Sequence, residues 1–298
     1  KMIDDGTISR LGDNEFRLTC AEPNARWLSM NAVGMDATIE DVSDSVAALA
    51  LQGPLSRRIL EQVTADVSDL KYFRFRTTTI RGTPVTISRT GYTGDLGYEL
   101  WMKNGHAVSV WDALADAGAG YGITPAGIWA LDIARIEAGL IMLDVDYYSA
   151  HHALIEDQKS SPFELGLGWT VSATKGPFNG RRALREEKAR GPAWGFVGLE
   201  VEWESLERRY ADRGLAPQLP TVAWRTSAPV YKGAQIGYAT SGCWSPLLKR
   251  YLALAHLRAP HFAPGTEVEL EVTVEHRRQR AKAVVRKLPF FDPERKKA

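Results

Sequence analysis

Cysteine is scarce: Cys20 and Cys243 are the two in 298 residues. Two thiols cannot build the disulfide framework of a small secreted domain, so a reducing cytoplasm is the expected compartment. Charge of one sign is lacking too. Lys and Arg number 37 against 36 Asp and Glu, a formal net charge of +1, which offers no global field for nucleic acid or an anionic membrane. No apolar run approaches the roughly 20 residues that span a bilayer, and no signal-peptide pattern opens the chain. There is no G-x-G-x-x-G fingerprint, so a flavin would have to come with another chain. No His or Cys set stands at metal-ligand spacing, and no metal is expected.

What is present is an ordinary globular composition, 44% hydrophobic, at a length that suggests two or three domains. "TISRLGDNEFRLTC" alternates around a turn cluster and predicts a hairpin. "EPNARWLSMNAVG" predicts a helix, "SVAALALQGP" a buried strand and "PLSRRILEQV" a short helix with Pro54 at its start. "RTTTIRGTPVTISRT" predicts a second hairpin around Gly82, and "GYELWM" a further strand. "GHAVSVWDALADAG" and "PAGIWALDIARIEAGL" are amphipathic helices bounded by Gly. This order predicts an α+β domain with helices on one face of an antiparallel sheet. "LGWTV" reads as a strand and "GRRALREEKARG" as a charged helix. From Trp194 come short strands at intervals of roughly ten residues, including "TVAWRT", which suggests a small barrel or sandwich. The tail "PFFDPERKKA" reads as a solvated end.

The segments "MIDDGTISRL", "ALQGP", "TGYTGDLGYEL", "ARIEAGL", "GLGWTV", "FNGRRAL", "TSGCWSP" and "VRKLPF" occur in family order over almost the whole chain. Together they resemble the aminomethyltransferase family, the T-protein of the glycine cleavage system and its folate-dependent relatives. The resemblance implies a multi-domain α+β fold around a tetrahydrofolate-binding hole, with a C-terminal jelly-roll-like β-barrel. Expected divisions are 1–40 as the remainder of a first α+β domain, 41–190 as a second that completes the folate cavity, and 191–298 as the barrel. The start at Lys1, inside a strand pattern, leads to the expectation that an N-terminal segment is missing.

The stretch "SRTGYTGDLGYELWM", Ser88 to Met102, carries the chemistry. A pterin edge presents a ring N–H beside an exocyclic amine, and a carboxylate matches it with two charge-assisted hydrogen bonds. Glu99 is similar in position to the family's pterin-binding Glu. Gly91, Gly94 and Gly97 would permit positive φ and close approach to a flat ring. On spacing alone, a tight turn with a solvated Glu is the ordinary alternative. Asp4 and Asp5 are the second candidate, either a cap or, as the resemblance implies, one essential carboxylate. Such a group offsets developing positive charge or manages the attacking amine's proton. The role falls on Asp5, with Asp4 as fallback. The resemblance places Tyr92 on the substrate side of the cavity, with a Tyr packed over a turn as the alternative, and Tyr72 and Phe73 along the pterin slot, with a core aromatic pair as the alternative. Arg135 could meet the cofactor's carboxylated tail, since Arg suits carboxylates, with an intrahelical ion pair as the alternative.

Some features depart from the pattern. Leu131 stands where the family usually has Arg, and Cys20 where it usually has Asn. The short segment after "EAGL" is replaced by a longer run bearing Tyr147, Tyr148, His151 and His152. Tyr148, His151 and His152 become substrate-side candidates beside the reading of a polar surface loop. The expected activity is tetrahydrofolate-dependent transfer of a methylene or methyl group from a small-molecule or lipoyl-carrier-bound donor. Alternatives are O- or S-demethylation and a non-catalytic folate-binding accessory role. The accessory branch's "KGCYxGQE"-type motif is absent. Implied partners are a glycine-cleavage protein or a flavin-bearing chain, as in sarcosine or dimethylglycine oxidases.

Overall fold

The computed structural model describes residues 1–64 and 67–298. They pack as two compact units, Asp4–Ala126 with Asp292–Ala298, and Lys1–Ile3 with Gly127–Phe291.

The first unit opens with the hairpin β1 (Gly6–Arg10) and β2 (Phe16–Cys20), followed by α1 (Ala25–Asn31). Then come β3 (Val46–Gln52), α2 (Ser56–Leu60), β4 (Phe75–Ile80), β5 (Thr83–Ser88), β6 (Gly97–Lys103) and α3 (Ala107–Gly118). Strands β3 to β6 form one antiparallel sheet in the order β3-β6-β5-β4. The β4–β5 turn has positive φ at both Arg81 and Gly82, the geometry whose twist suits a two-residue hairpin. Period-two alternation sends Tyr98, Leu100 and Met102 of β6 into the core with Val85 and Ile87 of β5. Val110, Ala113 and Leu114 of α3 and Ile59 and Leu60 of α2 close that core from one side. The expected α+β arrangement is what forms.

The second unit contains α4 (Ile128–Glu137), α5 (Arg181–Arg190), β7 (Trp194–Val201), α6 (Trp203–Ala211), β8 (Ala228–Lys232), β9 (Ala234–Ser245), β10 (Arg250–Arg258), β11 (Glu267–Val274) and β12 (Arg277–Arg286). The six strands close into a barrel in the order β10-β7-β12-β11-β8-β9, as expected. Full closure removes the unpaired edges that an open sheet would expose. Leu199, Val230, Ala253, Ala255, Leu270 and Val285 fill its interior.

Local expectations fail or fall short at four places. "LGWTV" is a single 3-10 turn, Gly168–Thr170, because Gly166 takes a left-handed φ of 72° and turns the chain. "TVAWRT" contributes only an isolated bridge from Trp224 to Gly242 of β9. One pair of backbone hydrogen bonds, Trp224 N to Gly242 O at 2.9 Å and Gly242 N to Trp224 O at 3.1 Å, holds this segment together with packing of the Trp224 indole, which a Cβ at Gly242 would strike. Helix α6 is not predicted, although Leu206 and Tyr210 stand four apart and pack on the barrel. The tail Asp292–Ala298 is mostly exposed, as a solvated end would be, but it is not free: it packs within the first unit.

Candidate functional site

Glu99 follows from strand parity. Its neighbours Tyr98 and Leu100 are fully buried, so Glu99 faces the other side of the sheet, opposite Ala50 of β3 and Ser88 of β5. That face is not covered as the core face is. Ala48 and Ala50 are exposed, and Glu99 and Trp101 are half-buried. The Thr90 hydroxyl donates to Glu99 Oε2 and lies 2.8 Å from the Ser88 hydroxyl. Ser88 Oγ in turn accepts from Trp101 Nε1 at 3.3 Å. The result is a carboxylate with one oxygen held by Thr90, with small residues beside it and an indole two positions along the strand.

The glycines of the preceding turn meet the expectation of positive φ at one of three positions. Only Gly94 has positive φ, 77°. Gly91 and Gly97 make room for the Gln52 carboxamide, which any Cβ at either position would overlap. Gln52 Nε2 donates to the carbonyls of Thr90 (3.3 Å) and Tyr98 (3.2 Å), and its Oε1 accepts from Thr93 Oγ1 at 3.1 Å. One amide from β3 therefore staples both ends of the turn that carries Tyr92. Sequence reasoning missed Gln52, Thr90 and Trp101. The available signal was a polar residue ending the apolar run "VAALALQ".

The two aspartates separate into different roles. Asp4 Oδ2 accepts from Glu22 N (2.9 Å) and Asn24 Nδ2 (2.8 Å), while Oδ1 accepts from Asp5 N at 2.8 Å. Asp4 is thereby committed to tying the start of β1 to the residues before α1. Asp5, half-buried, keeps the candidate catalytic place. The hairpin also brings the Arg17 guanidinium over the Trp101 ring, 4.7 Å from its centroid, and Arg17 Nε is buried without a hydrogen-bond partner. Cys20 is exposed, its Sγ 3.1 Å from the Glu22 carbonyl.

Tyr72 and Phe73 precede β4 instead of lying on a strand. Their rings meet edge to face at 4.6 Å. Phe73 has φ 57° and is exposed, so the pair is not core. Tyr72 lies under the Lys296 ammonium, 5.7 Å from the ring centroid. Its phenol is raised above the ordinary range by burial and by nearby Asp292.

Arg135, Tyr148, His151 and His152 belong to the second unit. Arg135 corrects an expectation. It is completely buried, donating to Asp132 Oδ1 at 2.8 Å and to Asp146 Oδ2. Its charge is matched by these two carboxylates, neither of them the neighbouring Glu137, so it is not placed to take a ligand's carboxylate. Asp146 also accepts from the Thr240 and Ser241 hydroxyls and from Met142 N. Its carbonyl oxygen lies 2.6 Å from His256 Nε2. Tyr148 is 47% exposed at the mouth of a cleft with Tyr238, Gln158 and Asp157. His151 and His152 are exposed, their rings 6.5 Å apart and nearly perpendicular. Among the described residues no group of three or more His, Cys, Asp or Glu is arranged to hold a metal ion.

His256 titrates below its usual range, because burial disfavours the imidazolium more than Asp146 and Glu164 favour it. The unfolded chain therefore takes up the proton first, near pH 6.5, and the folded state later. The stability this group contributes is complete above about pH 6.5 and is lost as pH falls below it. Urea unfolding at pH 7.5 and 5.5 should show a lower midpoint in acid, with the difference reduced in His256→Gln. An equal acid loss in both proteins would remove His256 as its cause. Cys243, buried in the barrel, has its thiol pushed up to about 12 by burial first and by Glu137 second, which makes it a structural and unreactive cysteine.

Two family models cover most of the chain. Residues 1–175 match the GCVT N-terminal domain, and residues 213–292 match the glycine cleavage T-protein C-terminal barrel domain. Curated relatives agree. The aminomethyltransferase of Halothermothrix orenii is 34% identical over 296 residues, 97% of this chain and 74% of the relative. That of Bacillus cereus is 34% identical over 297 residues, 97% of this chain and 73% of its own. This chain belongs to the glycine cleavage T-protein family. Its fold is also similar to the crystal structure of the glycine cleavage system aminomethyltransferase T from Bartonella henselae. The TM-score is 0.78 at 24% identity, over 97% of this chain and 72% of that one. The family expected from eight short segments, its fold and its class, a transferase of one-carbon groups, are borne out. Among the described residues no helix is long and apolar enough to cross a membrane.

Proposed function

We propose that this member of the T-protein family binds tetrahydrofolate on the open face of the β3-β6-β5-β4 sheet. There it transfers a one-carbon unit to tetrahydrofolate from an aminomethyl donor, small or lipoyl-carrier-bound. The observation that carries this reading is the Glu99 carboxylate, held by Thr90 on that face beside small side chains and the Trp101 indole. A pterin fits this set. Its paired donor edge suits a fixed carboxylate, and its flat rings suit a surface of Ala48 and Ala50.

When bound, tetrahydrofolate supplies the nitrogens that receive the one-carbon unit. The chain's own residues do the rest. Glu99 orients the ring, and Gln52 fixes the turn that presents Tyr92. Asp4 anchors the backbone of Asp5. Asp5 holds or moves the proton of the reacting amine and offsets positive charge, with Tyr92 as a hydroxyl donor on the substrate side. Tyr72 and Phe73 flank the slot. Tyr148, His151 and His152 are kept as donor-side candidates. Arg135 is assigned to structure. The proposed compartment is the cytoplasm, consistent with two free thiols, and the proposed partners are glycine-cleavage proteins or a flavin-bearing chain.

The test is to melt the purified protein with tetrahydrofolate and then add an aminomethylated lipoyl carrier. A ligand at a hundredfold excess over Kd stabilises the native state by about 2.7 kcal/mol. A raised Tm and methylenetetrahydrofolate as product are expected. No shift sinks the cofactor reading, while methyltetrahydrofolate formed from a methyl ether or thioether would replace the donor by the demethylase class.

A further inference from the structure

The segment Asp292–Ala298 makes a set of specific contacts within the first unit. Arg295 grips Asp95 with two parallel hydrogen bonds, Nε to Oδ1 at 2.7 Å and Nη2 to Oδ2 at 2.8 Å. Asp95 follows Gly94 in the turn that carries Tyr92 and leads into Glu99, and its Oδ1 also accepts from Leu96 N. The single 3-10 turn Glu294–Lys296 leaves its last carbonyls free of helical partners. Arg89, buried and adjacent to Thr90, donates through Nη2 to the Arg295 and Lys296 carbonyls at 3.1 Å each, and through Nη1 to the Leu70 carbonyl. Lys296 lies over the Tyr72 ring, and Asp292 pairs with Lys296 and Lys297. One short segment thus touches the Gly-rich turn, the residue before the Thr that holds Glu99, and one of the two slot aromatics.

We propose that Asp292–Ala298 is a strap that positions the cofactor-binding turn, with Arg295 as its positioning residue acting through Asp95. This rests on the tetrahydrofolate reading above and extends it. The turn itself is rich in glycine, which lets it sample many conformations in the absence of outside contacts. Gln52 staples its two ends, while its middle, at Gly94–Asp95, is fixed by the planar Arg fork. A fork fixes direction as well as distance, which an ammonium cannot.

The experiment combines hydrogen exchange with ligand titration on Arg295→Ala, Arg295→Lys, Asp95→Asn and the double variant Arg295→Ala/Asp95→Asn. In Arg295→Ala, amides 91–97 should exchange about tenfold faster while those of the barrel strands stay unchanged. The Kd for tetrahydrofolate should rise about tenfold. Arg295→Lys should recover part of both effects. In the Asp95→Asn background, Arg295→Ala should add little, since the two residues act as one pair. Unchanged exchange at 91–97 in Arg295→Ala overturns the strap, and faster exchange with unchanged Kd overturns its role for the ligand. If wild-type protein does not bind tetrahydrofolate, the cofactor reading fails and the ligand role fails with it. If wild type binds, Glu99→Ala does not and Arg295→Ala binds like wild type, the strap alone fails.

Discussion

Glu99→Ala is expected to weaken tetrahydrofolate binding by about a hundredfold or more while leaving the unliganded protein folded. Hydrogen bonds to a charged group contribute about 1.5–3 kcal/mol each, and a pterin edge would make two with this carboxylate. The cost to the fold is small because Glu99 is on the sheet face opposite the core, and its side-chain partner Thr90 can turn to water. Glu99→Gln keeps the shape and one acceptor, so it should fall between the two. Isothermal titration gives Kd, and a thermal melt without ligand gives the control. If Glu99→Ala binds like wild type, the cofactor lies elsewhere. If the Tm of the unliganded variant collapses, the residue is structural.

The second large effect concerns stability. Asp146→Ala should destabilise the barrel-containing unit by about 3–5 kcal/mol, the cost of leaving a buried partner charge uncompensated. Arg135 and Asp146 are both fully buried as side chains, and removing the carboxylate also strips acceptors from Thr240, Ser241 and Met142 N. Asp146→Asn retains an acceptor and should lose less. Urea unfolding followed by circular dichroism reads the difference. A loss below about 1 kcal/mol in Asp146→Ala would show that the buried network carries little. The same measurement decides the role of Arg135. Arg135→Met should lower stability with tetrahydrofolate affinity unchanged, whereas a cofactor ligand would do the reverse.

Much of the fold was legible because local chemistry and tertiary packing agree. The Arg81-Gly82 turn between alternating strands, the apolar run of β3 and the strand spacing after Trp194 each report a period or a turn requirement that the neighbours alone satisfy. Where the two disagree, sequence reasoning failed. "LGWTV" and "TVAWRT" have strand composition, but no adjacent edge accepts them as ladders. The tail is polar and charged, and nothing in its composition says that Arg89 and Asp95 await it.

The site divides in the same way. Glu99 was legible from its strand and its resemblance, and parity then places it on the sheet face away from the core. Gln52 was not legible as the staple of the turn, because the glycines that admit it lie about forty residues away in the chain. Nor could sequence choose Asp132 and Asp146 over Glu137 as partners of Arg135.

The amino-acid order by itself determined the family, the antiparallel sheet with helices on one face, the barrel strands and the carboxylate after the glycine-rich turn, because periodicity and turn geometry act over a few residues. Only the tertiary structure decided which aspartate is tied down, what the glycines make room for, that Arg135 is buried between carboxylates and that the tail grips Asp95. Those outcomes depend on side chains distant in the chain meeting at hydrogen-bond range, and no local pattern encodes such a meeting.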